Sequence, residues 1–297
     1  MYYNYDLTMI TPKKKRWKIV VIVLIVLTII GMSIFAGIEY AKYVKDKKEE
    51  EQLILEEQKI QEQNRIAEEA EKKRLKNSLP LAEEQIQSVE NIYSSEEKRV
   101  FLTFDDGPTT TVTPLILDLL KEENIKATFF VLGNRAKANP DLIKREFDEG
   151  HYIANHGYTH KYSSIYVSAQ TVLDEYNYAE GCIQEALENP DYHSRVFRFP
   201  GGSVGGYYSL IKTQAKQLLR QNSIASLDWN ALTRDAEGAK TTEKLVENLK
   251  LTIGQKQSVV ILMHDAYDKI LTYQALPEII QYLKDNGYAF KNLYDIL

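Results

Sequence analysis

The chain is poor in several residue types, and each scarcity excludes something. Cys182 is the only cysteine among 297 residues, so no intrachain disulfide can hold the fold together. Val172, Tyr176, Ala179, Ile183 and Leu187 recur around it at helical spacing, which reads as a structural thiol near an apolar face, not a nucleophile. The formal net charge is −5, and no dense basic stripe runs through the C-terminal two thirds, which argues against a nucleic-acid partner. The glycine-rich stretch Gly201–Gly206 lacks the Lys-Ser/Thr ending of a phosphate loop. No internal repeat is evident. Histidine is scarce too: there are five, and two of them, His156 and His160, stand four residues apart.

One long apolar run is present. Residues Ile19 to Ile38 carry no charge, and a helix of that length matches the roughly 30 Å hydrocarbon core of a bilayer. Lys13, Lys14, Lys15, Arg16 and Lys18 precede it, which predicts a cytoplasmic N-terminus and an extracellular C-terminal bulk. The run is long for a signal-peptide core and lacks a small-x-small cleavage site, so an uncleaved single-pass anchor is expected, with cleavage and secretion as the rival. Residues 44–78 are dominated by Glu, Gln, Lys and Arg, with Glu68–Lys72 and Glu69–Lys73 at helical i,i+4 spacing. Leu53, Ile60 and Ala67 repeat every seven residues, too sparsely to require a coiled coil; self-association through this stalk stays open. The expected organisation is a cytoplasmic N-terminus at 1–18, an anchor at 19–40, a charged helical stalk and linker at 41–97, and a catalytic domain at 98–297.

From Arg99 onward, short apolar runs alternate with helical periods. Strands are predicted at Val100–Phe104, Ala127–Val131, Tyr152–Asn155, Val196–Phe199, Ser223–Leu227, Val259–Met263 and Tyr288–Phe290. Helices are predicted at Thr113–Glu122, Asp141–Glu149, Ser168–Glu188, Leu210–Gln221, Thr242–Leu251 and Leu271–Asn286. Such alternation implies an α/β fold with about seven parallel strands, in a distorted or incomplete barrel. Reactive residues follow these strands: Asp105 and Asp106 the first, His156 and His160 the third, Arg198 the fourth, Asp228 and Trp229 the fifth, His264 the sixth. In an α/β barrel those ends converge on one face, where active sites lie. A carboxylate and two histidines can hold one metal ion and leave a position for water. Each piece has a bland competitor. Asp-Asp-Gly-Pro alone is a good turn, an isolated histidine pair is often surface, and Arg198 or Trp229 could simply cover apolar area. Convergence of five strand ends outweighs these readings. His151 and His193 are read as structural.

Thr103-Phe104-Asp105-Asp106-Gly107-Pro108, His156–His160, Arg198-Phe199-Pro200, Asp228-Trp229 and Leu262-Met263-His264 occur in the order seen in polysaccharide deacetylases. From about Arg99 onward the chain resembles that family, the NodB-homology or carbohydrate esterase family four proteins. Within it, the likeness is to membrane-anchored peptidoglycan N-acetylglucosamine deacetylases. The resemblance implies a metal held by Asp106, His156 and His160, commonly zinc, with cobalt, nickel or manganese as alternatives. It implies Asp105 as general base and His264 as general acid, with Arg198 orienting Asp105 and Asp228 holding His264. Trp229 and Leu262 would wall the acetyl slot, and Pro200 and Gly201 would line the substrate side, a backbone N–H there facing the oxyanion. The implied substrate is an acetylated surface glycan of a Gram-positive-type bacterium, most readily peptidoglycan N-acetylglucosamine. N-acetylmuramic acid, chitin oligomers, O-acetyl xylan, or a catalytically silent wall-binding role are the alternatives. Two departures stand out. Gly157 replaces the hydroxyl residue many members carry after the first histidine, which leaves the bracing of that loop open. Gly201 replaces an aromatic many members carry after the proline, which removes a wall for a sugar ring.

Overall fold

The structure, a computed structural model, describes residues 13–297; most of the expected cytoplasmic N-terminus, residues 1–12, lies outside the described residues. The chain divides into two compact units, Met1–Glu68 and Glu69–Leu297. The first is built on helix α1 (Lys13–Asn77). No proline interrupts that helix, and its apolar stretch is exposed throughout. It is the one helix among the described residues long and apolar enough to cross a membrane. Its polar part carries the ion pairs Lys45–Glu49 (3.5 Å) and Arg65–Glu62 (2.6 Å). The Glu69–Lys73 pairing read from the sequence lies outside the described side chains.

In the second unit, the segment expected as a linker to residue 97 turns out to contain helix α2 (Glu83–Glu90). Its Ile86 and Val89, with Leu81 and Ile92, are buried against the inner strand face. Two apolar residues on an otherwise polar eight-residue helix are too few to announce a periodicity. The chain then runs β1 (Arg99–Asp105), α3 (Thr113–Glu122), β2 (Thr128–Val131), α4 (Gly133–Ala138), α5 (Pro140–Asp148), β3 (Tyr152–Asn155), α6 (Tyr162–Ile165), α7 (Ala169–Ala186) and β4 (Val196–Phe197). It continues with α8 (Ser209–Gln221), β5 (Ala225–Ser226), β6 (Ala231–Leu232), α9 (Thr242–Ile253), β7 (Ser258–His264), α10 (Ile270–Asp285) and β8 (Ala289–Lys291). The seven expected strands are thus joined by an eighth, the two-residue β6.

All pairings are parallel, in the order β5-β4-β3-β2-β1-β7-β6. β8 pairs with the first half of β1 (Arg99–Phe101), and β2 with its second half (Thr103–Asp105). Among the described residues β5 and β6 do not pair, so the sheet is a distorted, open barrel. Side chains alternate between its two faces. Phe101, Phe130, Tyr152, Ala154, Val196, Ala225, Leu227 and Val260 fill the inside. Val100, Leu102, Phe104, Phe129, Val131, Ile153, Val259, Ile261 and Met263 face the surrounding helices.

Candidate metal and acid-base site

The same two-residue period positions the chemistry. Asp105 follows Phe101 and Thr103, His156 follows Tyr152 and Ala154, Arg198 follows Val196, and His264 follows Val260 and Leu262. Each side chain therefore continues the inward row of its strand past the packed apolar core. Trp229 continues the row of Ala225 and Leu227 and packs against the inner core, while Leu262 lies between Val260 and His264 with 7% of its surface exposed.

Arg198 is fully buried and spends its donors locally. Nη1 donates to Asp105 Oδ1 and to Thr103 Oγ1, both at 2.7 Å, Nε to the Leu227 carbonyl at 3.1 Å, and Nη2 to the Asp228 carbonyl at 3.1 Å. The guanidinium lies 3.8 Å from the Phe130 ring centre. Burial pushes the Asp105 carboxyl above the ordinary range, and the Arg198 charge and hydrogen bond offset only part of that.

Asp106 and His160 are not strand residues. Both have left-handed backbone, φ 74° and 59°, a conformation that costs non-glycine residues energy and collects at functional sites. The turn after Asp106 is tied down by Thr109 Oγ1 donating to the Asp265 carbonyl at 2.7 Å. Asp106 Oδ1 stands 3.4 Å from His160 Nε2 and 3.7 Å from His156 Nε2. One donor atom from each of the three residues falls within 4.8 Å of the others. Donors about 2.0–2.2 Å from one tetrahedral ion stand about 3.4 Å apart, so the set fits a small divalent cation. Two further observations agree. Asp106 Oδ1 is buried and makes no hydrogen bond among the described residues. His156 Nδ1 lies 2.8 Å from the Arg198 carbonyl, which only accepts; Nδ1 therefore carries the proton and Nε2 offers its lone pair. Burial holds His156 down to about 3, neutral as a ligand must be.

The loop between the two histidines, whose bracing Gly157 left open, is held from another element. Glu175 on α7 accepts from the Tyr158 and Thr159 amides, each at 2.7 Å, and from the Thr159 hydroxyl at 2.8 Å. Asn155 Oδ1 accepts from the Gly157 amide at 2.9 Å. Gly157 itself has φ +83°, where a side chain would be strained.

One expectation fails. Asp228 does not hold His264. Its carboxylate accepts from the Ser203 amide (2.9 Å) and hydroxyl (2.6 Å), because residue 228 has the parity opposite to Leu227 and Trp229 and turns away from the inner row. Asp235 takes the position instead: Oδ1 lies 2.8 Å from His264 Nδ1, while Oδ2 accepts from the His264 amide and the Thr272 hydroxyl, both at 2.8 Å. Burial disfavours the charged ring, but Asp235 and the charges of Asp105 and Asp106 outweigh it and raise His264 to about 9. The Asp235 carboxyl is lowered, its burial outweighed by the bond from His264. The sequence signal was weak: Asp235 follows the very short β6, which was not anticipated. Of the two histidines read as structural, His151 accepts from the Ala127 amide at 3.0 Å, and His193 pairs with Glu180 at 3.2 Å. Cys182 is half-buried against the outer core.

Comparison with known proteins places the chain in a family. Residues 93–221 match the family model described as polysaccharide deacetylase. A peptidoglycan-N-acetylglucosamine deacetylase of Bacillus cereus is 33% identical over 205 residues, 67% of this chain and 71% of that protein. Peptidoglycan-N-acetylglucosamine deacetylase PgdA of Listeria monocytogenes is 32% identical over 199 residues, 67% of this chain but only 39% of its own length. Among solved structures, a Streptococcus mutans CE4 esterase superposes with a TM-score of 0.63 at 30% identity, covering 72% of this chain and 92% of that one. By fold and sequence, the chain belongs to the polysaccharide deacetylase family.

Proposed function

We propose that this protein is a metal-dependent hydrolase that removes N-acetyl groups from a surface glycan, with peptidoglycan N-acetylglucosamine as the substrate. The observation that carries this reading is the convergence of two imidazole nitrogens on the orphaned Asp106 Oδ1, together with the Arg198–Asp105 and Asp235–His264 pairs. The names of the relatives support the substrate.

Asp106, His156 and His160 hold the divalent ion, zinc by preference. When bound, the ion acidifies water and polarises the acetyl carbonyl. Asp105, raised by burial and aligned by Arg198, accepts the proton of the attacking water. His264, charged at neutral pH, donates to the amide nitrogen so that it can leave as an amine. Splitting the two tasks lets an acid raised to about 9 keep its proton near neutrality while a separate carboxylate serves as the base. Next to Arg198, the Gly202 amide is bonded to the Phe199 carbonyl and the Ser203 amide to Asp228, while the Gly201 N–H makes no hydrogen bond among the described residues. It supplies the oxyanion contact. Trp229 and Leu262 bound the acetyl methyl. The apolar helix anchors the chain in the cell membrane, its N-terminus cytoplasmic and residues 98–297 outside as the catalytic domain.

The test is acetate release from N-acetylated peptidoglycan by the detergent-solubilised full chain. Release that stops on chelation, returns with zinc, and is lost in Asp105→Asn with metal retained supports the reading. A zinc-loaded protein that frees no acetate from any N-acetylated glycan overturns it.

A further inference from the structure

Gly201, with φ +73°, leaves a hollow that its own side chain does not fill. Tyr162, at the start of α6, fills it: a Cβ at position 201 would meet the Tyr162 hydroxyl at 2.5 Å. The Tyr162 ring is 42% exposed and lies 5.7 Å from the His160 ring, at the rim of the metal site. From there aromatic rings continue outward. Tyr162 meets Tyr166 at 5.8 Å, Tyr166 meets Tyr208 at 5.2 Å, and Tyr208 meets Tyr207 at 5.0 Å.

The row has a fixed base and an open top. Tyr166 is buried and donates to the Pro200 carbonyl at 2.7 Å. Lys212 donates to the Gly202 carbonyl at 2.7 Å and sits 5.0 Å from the Tyr166 ring centre. On this base Tyr208 is half-buried and Tyr207 is 94% exposed, with Val204 exposed beside it. Between Arg198 and Lys212 the loop carries no acidic or basic residue. An exposed, uncharged row of phenol rings that begins at a metal site suits a neutral ligand with apolar faces and hydroxyl edges. Pyranose rings have both.

We propose that Tyr162, Tyr208 and Tyr207 form a platform for the sugar units adjoining the one that carries the acetyl group, with Tyr162 supplying the wall that position 201 lacks. This rests on the deacetylase reading and extends it to a polymeric substrate. Tyr162 positions the sugar at the metal; Tyr207 acts only on longer chains.

The test uses the zinc-loaded full chain in detergent with N-acetylglucosamine oligomers from the monomer to the hexamer. Wild type is expected to gain in kcat/KM with length. Tyr207→Ala raises KM for the longest oligomers about 3- to 10-fold, the size of one aromatic contact, and flattens that gain. Tyr162→Ala raises KM at every length, and Tyr162→Phe recovers part of the loss. Leu251→Ser, an exposed change on α9 remote from the loop, serves as control. In parallel, chelated protein is sedimented with N-acetylated peptidoglycan sacculi, where Tyr207→Ala and Tyr162→Phe pellet less than wild type. Variants that pellet like wild type and keep its length dependence overturn the platform. Wild type that pellets through these tyrosines yet frees no acetate overturns the deacetylase reading instead.

Discussion

The site is assembled from two kinds of region that behave differently. Asp105, His156, Arg198 and His264 prolong inward rows of β-strands, and their orientation follows from residue parity. Asp106 and His160 lie just beyond those rows on left-handed backbone, held by contacts from distant elements: Asp265 through Thr109, and Glu175 through the Tyr158 and Thr159 amides. Rows are rigid because the whole sheet fixes them. Turns need a dedicated brace, which holds the ligands they carry in place.

The largest effect separates the base on a row from the ligand on a turn. Asp105→Asn is expected to lose about 10²–10⁴-fold in kcat with zinc still bound, whereas Asp106→Asn loses the zinc itself. Metal content and turnover measured on the same samples distinguish them; zinc lost from both variants would erase the division of roles.

Next comes the acid. Asp235→Asn should cost about 10²-fold in kcat, and the alkaline limb of the kcat profile should move down from near 9 toward the ordinary histidine range, since the carboxylate that raises His264 is gone. Asp228→Asn should leave that limb in place. The same pair shapes stability. His264 is raised on folding, so its contribution is full below about 6.5 and is lost as pH climbs through about 9. Melting temperatures of wild type and Asp235→Asn should therefore converge at alkaline pH. A gap that stays constant from pH 6 to 10 would contradict the pairing.

Much of this was legible beforehand. The strand ends, the inward carboxylate and the histidine pair could be read because alternation and short motifs are local signals. Asp235 could not, since a two-residue strand such as β6 has no period and the residue meets His264 only through the sheet. Helix α2 was hidden for a similar reason, with Ile86 and Val89 its only buried residues. Glu175 gave no sign because a glutamate on an amphipathic helix reads as solvated surface until the turn it caps is seen. The reading of Asp228 failed on a point the sequence did contain, the opposite parity of residues 228 and 229.

A smaller effect is expected at the brace. Glu175→Gln keeps the shape but weakens the acceptor of two amides and a hydroxyl, and should reduce zinc affinity about 10-fold, read by competition with a chromophoric chelator. Unchanged affinity would mean that the histidine turn holds itself. The smallest effect is at Gly157. Restoring a side chain there with Gly157→Ser should destabilise the fold by about 1 kcal/mol, because a residue at φ +83° meets strain whatever its hydroxyl can bond. A gain in melting temperature would show that Glu175 leaves the turn underbraced.

The central claim is that one cation sits where the two regions meet. Anomalous diffraction at the zinc edge from crystals grown with zinc tests it directly. One peak bonded to Asp106 Oδ1 and to the Nε2 atoms of His156 and His160 is expected. Density elsewhere, or a peak bound by the histidines with Asp106 turned away, would contradict it.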